Sequence, residues 1–278
     1  MATGFDTVWF LSDYGLDDEF VGVVKAVIRA IAPDTTVIDI THGIAPHDVR
    51  AGSLALARST QYLSPGVVLA VVDPGVGSDR RAVAVEVGSA ERAVLVGPDN
   101  GLLAAAVAMA GGARRTVELT NADYHLPTPA PTFAGRDVFG PAVAHLCAGV
   151  DIDQLGEPVD PLSLRPGVIP LSRHEDDDVG GGGGGKVVGE VLWVDRFGNA
   201  QLNVDPDELA GMEEHVSLRI GDTTRTAARV SSFAELRPGQ VGLMVDSYGL
   251  VAVVLQRRSA AAELRIAAGD GVTLEAAE

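Results

Sequence analysis

Charged side chains stand directly after apolar runs at three places in the sequence, and such side chains can hold a ligand or move a proton. In chain order the three clusters are Asp13 with Asp17 and Asp18, Asp73 with Arg80, and Arg136 with Asp137. Ligands of open parallel sheets bind where loops gather at the carboxyl ends of the strands. If the apolar runs are strands of one sheet, the clusters predict a small-molecule site at those ends.

The first cluster allows more than one role. Asp13 follows its apolar run closely, where a carboxylate can accept hydrogen bonds from the hydroxyls of a ribose. Asp17 and Asp18 open a helical pattern, and carboxylates there cap free amides and oppose the helix dipole. Three neighbouring acids can also bind a divalent cation, although their spacing matches no known metal loop. Helix capping and cation binding both stay open for Asp17 and Asp18.

The second cluster is a tight loop, because Gly75 and Gly77 lie between Asp73 and Arg80. An arginine beside Asp73 would keep the carboxylate ionised and oriented, as a proton acceptor requires. A salt bridge that only stabilises the loop is the alternative.

The third cluster and two turns in the second half of the chain complete the candidates. Asp137 precedes a helical pattern and can cap it, with Arg136 as its ionic partner. Residues 193–199 and 246–249 are polar and aromatic segments between strand-like runs. Either segment can also be an ordinary hairpin turn.

The sequence gives little support for catalysis by a serine nucleophile or by a zinc ion. No serine stands in a nucleophile-elbow pattern, so serine catalysis is not expected. The six histidines, at positions 42, 47, 125, 145, 174 and 215, show no zinc-ligand spacing. We therefore predict no zinc site, and we prefer a site without metal to cation binding by the first cluster.

The elements that must position these residues follow from hydrophobic periodicity. Before residue 174, apolar runs typical of strands alternate with helical stripes. The strand-like runs cover 7–11, 37–40, 67–72, 82–87 and 93–96, and the helical ones cover 17–32, 48–62 and an alanine-rich stretch after 101. This order predicts an α/β domain over residues 1–173, with a largely parallel sheet covered by helices.

The chain changes character after residue 173. Residues 174–185 combine an acidic run with six consecutive glycines, which indicates a flexible linker. A phosphate-binding loop is the alternative, but no Lys-Ser or Lys-Thr pair follows the glycines. Residues 186–278 carry short alternating strands, which predict an antiparallel β-barrel or sandwich. These strands are predicted at 187–194, 200–204, 216–220, 224–230, 241–245, 250–255, 263–267 and 272–275.

Composition excludes several classes of protein. Of the 278 residues 46% are hydrophobic, which is typical of a globular chain and not of a disordered one. The net charge of −17 argues against nucleic acid or an anionic membrane surface as the main partner. No run reaches the roughly 20 apolar residues of a membrane span, and no signal peptide is visible. The single cysteine, Cys147, fits a reducing cytoplasm.

Five motifs occur in order across the chain. They are Leu11-Ser12-Asp13-Tyr14-Gly15, Asp73-Pro74-Gly75-Val76-Gly77 with Arg80, Pro98-Asp99-Asn100-Gly101-Leu102-Leu103, Thr132-Phe133 with Gly135-Arg136-Asp137, and Asp195 with Phe197-Gly198-Asn199. Together they resemble the S-adenosylmethionine hydroxide adenosyltransferases, the hydrolase relatives of the fluorinases and chlorinases. The resemblance covers nearly the whole chain apart from the linker.

This resemblance implies a fold and an activity. Family members have an α/β N-terminal domain and a β-barrel C-terminal domain. Their substrate is S-adenosylmethionine, which they cleave to adenosine and L-methionine when water or hydroxide attacks the ribose C5′. The reaction uses no metal and no cofactor. They assemble as trimers, with each site between one subunit's N-terminal domain and a neighbour's C-terminal domain. We therefore expect a cytoplasmic homotrimer with a small-molecule substrate.

The resemblance also implies residue roles. Asp73, as base, and Arg80 would hold and polarise the water, while Asp13 would bind the ribose hydroxyls. The remaining substrate-binding candidates are Asp18 at the methionine ammonium, Phe133, Gly135, Asp195, Asn199, Ser247, and Phe233 stacked on adenine. The halogenating relatives carry tyrosine at the position of Asp73, and a carboxylate would repel a halide ion. Water is therefore favoured as the nucleophile, with chloride as the lesser alternative.

One position departs from the family pattern. The hydrolase branch has histidine between Phe133 and Gly135, whereas this chain has Ala134. Loss of a water-orienting imidazole would slow the chemistry by roughly 10²-fold or more. Three interpretations stay open: an engineered substitution, a natural variant that tolerates the gap, and a protein that binds S-adenosylmethionine or adenosine without turnover. His125 is the one histidine considered as a substitute.

Overall fold

The computed structural model describes residues 4–88, 93–175 and 185–277. The chain divides into two compact units, Met1–Ile169 and Pro170–Glu278. Most of the predicted linker, residues 176–184, lies outside the described residues. Within the described ranges, no helix is long and apolar enough to cross a membrane.

The first unit is built on a seven-stranded sheet. Its strands are β1 (Thr7–Ser12), β2 (Thr36–Thr41), β3 (Val67–Val71), β4 (Ala82–Val87), β5 (Ala93–Pro98), β6 (Ala113–Glu118) and β7 (Glu157–Pro158). They lie in the order β2-β1-β3-β5-β4-β6-β7. The four strands from β2 to β5 in this order pair in parallel, and β4, β6 and β7 extend the sheet in antiparallel fashion. The predicted α/β class is confirmed.

Helices cover both faces of this sheet. They are α1 (Phe20–Ile31), α2 (Val49–Thr60), α3 (Ala104–Met109) and α4 (Gly140–Cys147). Side chains alternate along β3, so that Leu69 and Val71 belong to the core with α1 and α4, while Val68 and Ala70 belong to the core with α2 and α3. Burial on both faces explains why residues 67–72 form an uninterrupted apolar run.

Helix α1 begins later than its sequence pattern predicts. Its N-cap residue is Glu19, and none of the described side chains caps it. The capping role considered for Asp17 and Asp18 is therefore wrong. Helix α2, by contrast, is capped by Asp48, whose Oδ1 accepts a hydrogen bond from the Ala51 amide at 2.8 Å.

The second unit is a closed barrel. Its strands are β8 (Arg173–Glu175), β9 (Lys186–Val194), β10 (Ala200–Leu202), β11 (His215–Ile220), β12 (Thr223–Arg229), β13 (Val241–Val245), β14 (Val251–Leu255) and β15 (Gly271–Ala276). Strands β9 to β15 close the ring in the order β9-β10-β14-β13-β12-β11-β15, and β8 pairs with β9 outside it. All pairings of the ring are antiparallel except β12 with β13. The predicted β-barrel is confirmed.

One predicted strand of this unit is wrong. Residues 263–267 were expected to form a strand, but Ala260–Leu264 is a short helix, α5. Ser259 caps it, since its hydroxyl accepts a hydrogen bond from the Ala262 amide at 2.9 Å. The run of alanines after this cap favours a helical turn over an extended strand. Arg265, in the left-handed conformation, ends the helix.

Candidate active site

A cleft of about 260 Å³ opens in the first unit beyond the parallel strands. Asp13 follows β1 directly, and Asp73 comes two residues after the end of β3. Since β1 and β3 are parallel neighbours, both carboxylates emerge at the same end of the sheet. Five of the predicted site residues line this cleft: Asp13, Asp73, Phe133, Ala134 and Gly135.

Asp73 lines the cleft and forms a bidentate ion pair with Arg80, which is not itself among the described lining residues. Arg80 Nε donates to Asp73 Oδ1 at 2.9 Å, and Arg80 Nη2 donates to Oδ2 at 2.5 Å. Only 6% of the Asp73 side chain and 13% of the Arg80 side chain are exposed. The loop can turn this tightly because Gly77 has φ +79°, a conformation that favours glycine. Such a fork of hydrogen bonds fixes the orientation of the carboxylate.

Backbone groups hold Asp13 on the same cleft. Its Oδ2 accepts a hydrogen bond from the His47 amide at 2.9 Å, and its own amide donates to the Val71 carbonyl at 3.3 Å. His47 has φ +69°, which is uncommon for a residue other than glycine. A carboxylate can accept about four hydrogen bonds, so Asp13 retains capacity for hydroxyl groups of a ligand.

A hydrogen-bond chain supports the loop after β1 from inside the unit. The buried Ser12 Oγ lies 2.7 Å from His42 Nδ1 and accepts from the Tyr14 amide at 3.3 Å. His42 Nε2 lies 3.0 Å from Asp39 Oδ1, and Lys25 donates to Asp39 Oδ2 at 2.7 Å. Burial alone would raise the pKa of Asp39, but the hydrogen bonds from Lys25 and His42 outweigh it and lower this pKa.

The Tyr14 phenol belongs to the same charged environment. Burial raises the pKa of Tyr14 far above its usual range, and the charges of Asp13 and Asp73 raise it further. A backbone hydrogen bond with Gly135 and the charge of Arg80 act in the opposite direction but do not reverse the shift. A Cβ at position 135 would collide with the phenol oxygen, so the close approach requires glycine.

The third motif supplies the aromatic wall. Phe133 lies edge-on to Tyr14, with ring centroids 5.7 Å apart, and the Arg136 guanidinium lies 5.2 Å from the centre of the Phe133 ring. Arg136 Nε donates to Oδ1 of the buried Asp137 at 2.6 Å, so the predicted ion pair is present. Asp137 does not cap the following helix as considered, because the N-cap of α4 is Phe139. The pair instead lies against the Phe133 ring, through the Arg136 guanidinium.

The acids at the start of α1 take no part in this cleft. Asp17 and Asp18 are exposed, and neither is among the described residues that line it. Within the described ranges, no group of three or more His, Cys, Asp or Glu side chains is placed to hold a metal ion. The cation site considered for Asp13, Asp17 and Asp18 therefore has no structural support.

Ala134 leaves one part of the cleft wall apolar. It lines the cleft, and its methyl group offers no hydrogen bond to a bound water. His125 is not among the described lining residues, so the structure does not place it as a substitute for an imidazole at this position. Burial lowers the pKa of His125.

Six further residues line the cleft and had no predicted role there. They are Tyr14, Phe20, Pro46, His47, Val76 and Thr132. A signal existed for Pro46 and His47, because both follow the carboxyl end of β2, which pairs in parallel with β1. The same rule that selected Asp13 and Asp73 applies to that loop.

The four candidates of the second unit share a separate cleft of about 420 Å³. They are Asp195, Asn199, Phe233 and Ser247. Trp193 and Tyr248 add aromatic surface, with ring centroids 6.3 Å apart. Such a surface, partly apolar and partly polar, suits a flat heterocycle or an amino acid.

Two hairpin turns of the same design position three of these candidates, Asp195, Asn199 and Ser247, whereas Phe233 begins a separate helical turn. Asp195 Oδ1 accepts hydrogen bonds from two amides of its own turn, each at 2.8 Å, and Oδ2 accepts from Asn199 Nδ2 at 2.7 Å. Asp246 Oδ1 accepts from the Tyr248 amide at 2.8 Å in the corresponding turn. Each turn contains a glycine with φ +84°. Asp195 thus orients the Asn199 side chain as well as its own loop.

Two family models match the chain. The model of the SAM hydroxide adenosyltransferase N-terminal domain matches residues 8–156, and that of the C-terminal domain matches residues 189–273. A protein of Salinispora tropica named (R)-S-adenosyl-L-methionine hydrolase is 42% identical over 97% of this chain and 98% of its own. A Thermus thermophilus protein of the same name is 39% identical over 96% of this chain and 98% of its own.

A solved structure supports the same relationship. The crystal structure of an uncharacterized conserved protein from Thermotoga maritima superposes with a TM-score of 0.83. The match has 32% sequence identity and covers 96% of this chain and 99% of that one.

Proposed function

The chain belongs to the SAM hydroxide adenosyltransferase family, and on that premise we propose that it hydrolyses S-adenosyl-L-methionine to adenosine and L-methionine. The observation that carries the proposal is the Asp73 carboxylate, which Arg80 fixes in the wall of a cleft that Asp13 also lines. Two curated relatives of nearly full length bear the corresponding hydrolase name.

The substrate supplies much of the driving force for this reaction. Its sulfonium leaves as a neutral thioether, so attack at the ribose C5′ cancels charge. The water oxygen forms a bond to C5′ as the C5′–S bond breaks, and the electron pair of that bond stays on the sulfur of methionine. One proton of the water passes to a base and then to solvent. The protein's task is to align the water, exclude others and accept this proton.

The first-unit residues divide this task among themselves in our proposal. Asp73 accepts the proton, and Arg80 holds the Asp73 carboxylate in one orientation by the two-pronged contact at 2.9 and 2.5 Å. Asp13 binds the ribose hydroxyls with the hydrogen-bonding capacity that the His47 amide leaves to it. Phe133 and Gly135 form the wall against which the substrate lies.

The remaining candidates bind the two ends of the substrate in our proposal. In the homotrimer that we propose, those of the second unit belong to the C-terminal domain of a neighbouring subunit. Asn199 and Ser247, with Asp195 as the residue that orients Asn199, bind polar groups of the adenine or methionine ends, and Phe233 stacks on adenine. Asp18 is exposed and lies outside the first-unit cleft, so in this proposal it attracts the methionine ammonium only at a distance, through its negative charge.

A binder without turnover is the alternative that Ala134 favours, because an alanine supplies no acid or base. Incubation of the protein with S-adenosylmethionine, followed by chromatography of adenosine and methionine, separates the two functions. We expect both products in equal amounts above the spontaneous rate. Tight binding in calorimetry without adenosine formation would establish the binder instead.

Halide transfer is tested in the same assay. Because the Asp73 carboxylate would repel a halide ion at close range, we expect adenosine and no 5′-chloroadenosine in chloride buffer. Accumulation of 5′-chloroadenosine would contradict the assignment of water as the nucleophile.

We further propose that the reaction needs no metal or cofactor and takes place in the cytoplasm. A neutral thioether leaves without a Lewis acid, and the lone Cys147 fits a reducing compartment. Dialysis against EDTA should leave the rate unchanged. A loss of activity that a divalent cation restores would contradict this part of the proposal.

A further inference from the structure

Tyr14 carries a hydroxyl group that its packing does not require. Its ring lies 5.7 Å from the rings of both Phe20 and Phe133, and 6.5 Å from the ring of Phe10. A phenylalanine at this position would make the same ring contacts. The hydroxyl adds a polar atom to an otherwise aromatic wall, and burying a polar atom costs free energy unless it makes a hydrogen bond.

The surroundings determine what this hydroxyl can do. Its oxygen is held by the backbone of Gly135, where a Cβ would not fit. A backbone amide can only donate, so the phenol oxygen acts as the acceptor and its proton is available for a second hydrogen bond. Burial and the neighbouring carboxylates of Asp13 and Asp73 raise the pKa of Tyr14, so the proton stays on the phenol.

The phenol proton of Tyr14 lies in the cleft where we propose that the reaction takes place. Tyr14 lines the same cleft as Asp73, and the charges of Asp73 and Arg80 both act on its hydroxyl. Ala134, in the same wall, offers no polar atom to a water. Among the residues that line this cleft, Tyr14 therefore presents a hydrogen-bond donor that is half-buried, packed against the Gly135 backbone and protonated at neutral pH.

We propose that Tyr14 is a further catalytic residue, whose hydroxyl donates a hydrogen bond to the attacking water and holds it between Asp73 and the ribose C5′. This inference rests on the proposed hydrolysis. One lone pair of the water accepts from Tyr14 and the other attacks C5′. One proton of the water passes to the Asp73 carboxylate, and the bonding pair of the broken C5′–S bond stays on methionine.

The variant Tyr14→Phe removes only the hydroxyl. We expect kcat to fall about 10- to 10²-fold, because a fixed donor to the reacting water is lost, while KM stays within about threefold of wild type. The control is Tyr124→Phe, which removes a hydroxyl that donates to Gln154 Oε1 at 3.4 Å and does not line the cleft. This control should turn over at the wild-type rate.

The outcomes separate this inference from the proposed function. If wild type and Tyr14→Phe form adenosine with the same kcat, Tyr14 is not catalytic and the hydrolase proposal stands. If the wild type forms no adenosine, both statements fail. If Tyr14→Phe raises KM and leaves kcat unchanged, Tyr14 belongs to substrate binding, and the inference is overturned.

A second variant covers the case in which Tyr14→Phe does not fold, as circular dichroism would show. Incorporation of 3,5-difluorotyrosine at position 14 keeps the ring and the hydroxyl but lowers the pKa of the phenol. We expect the loss of activity at alkaline pH to move to lower pH in this protein, because the donor is then lost earlier. A pH profile identical to that of wild type would overturn the inference.

Discussion

In our proposal the Asp73 carboxylate accepts a proton from the attacking water and must therefore point at it, and the contact with Arg80 fixes this orientation. The contact uses both carboxylate oxygens, and both side chains are almost completely buried. A buried ion pair adds little net stability, because the cost of removing both charges from water offsets their attraction. At the residue scale, the Asp73–Arg80 pair is therefore best explained as a device for orientation.

The variant Asp73→Asn tests this role. Asparagine can still accept hydrogen bonds from Arg80 but cannot take a proton, so we expect kcat to fall about 10²-fold or more. Substrate affinity, measured by calorimetry, should change by less than about fivefold. The exposed Asp79 in the same loop provides the control, and Asp79→Asn should behave as wild type. Equal losses in kcat and affinity would remove Asp73 from the role of base.

The variant Ala134→His tests the other unusual residue of the cleft. If the methyl group marks a missing imidazole, histidine should raise kcat by about 10²-fold. Ala134→Leu fills the same space without an acid or base and should give no gain. If Ala134→His has an unchanged rate, other residues of the cleft wall, Tyr14 among them, already orient the attacking water.

At the scale of elements, the site depends on loops that follow parallel strands. The loops after β1, β2 and β3 supply Asp13, His47 and Asp73, and the His47 amide ties the second loop to the first. Below them, the chain of contacts through Ser12, His42 and Asp39 joins β1 to β2. The loops are thus held by hydrogen bonds as well as by the apolar core.

The variant Asp39→Asn tests this support through pH. The contacts with Lys25 and His42 lower the pKa of Asp39 in the folded protein, so its charge stabilises the fold above the unfolded-state pKa. That contribution is lost as pH falls through the lowered value. We expect Tm to drop by roughly 2 °C at pH 7. The difference between the variant and wild type should shrink towards pH 3.

The exposed Asp34 provides the comparison for this measurement. Asp34→Asn should have the wild-type Tm at both pH values. A deficit of Asp39→Asn that is equally large at pH 7 and pH 3 would show that the charge of Asp39 contributes nothing to stability.

At the scale of the whole molecule, each unit is a complete fold with its own cleft. The first buries two apolar cores on the two faces of its sheet, and the second encloses a core within its barrel. A net charge of −17 opposes self-association through repulsion, which salt screens. Assembly must therefore be measured at defined salt.

Light scattering after size-exclusion chromatography tests the proposed homotrimer. Family resemblance leads us to expect a mass three times that of the 28.7 kDa chain in 150 mM salt. Fluorescence-detected dilution should then locate the concentration at which the assembly dissociates. A mass of one chain at micromolar concentration would contradict the trimer. The hydrolysis assay tests the proposed activity independently of this result.

The order of elements could be predicted because it depends on local patterns. Apolar runs such as 67–72 and the helical stripe of α1 report which residues are buried, and burial selects strand or helix. Errors arose where local signals competed. The apolar residues of 263–267 suggested a strand, but the cap at Ser259 and the alanines after it produced α5.

For the candidate site too, some features could be predicted from the sequence and others depended on the tertiary structure. By itself the sequence determined the α/β and barrel architecture and the family resemblance, because both follow from residue types and their spacing, and it predicted Asp13 and Asp73 as site residues. Only the tertiary structure decided that Tyr14 and His47 line the cleft with Asp73 and that Asp18 does not. The physical reason is that such convergence depends on the pairing of β1 with β2 and β3 and on loop conformations such as that of His47, and both form between residues distant in the chain.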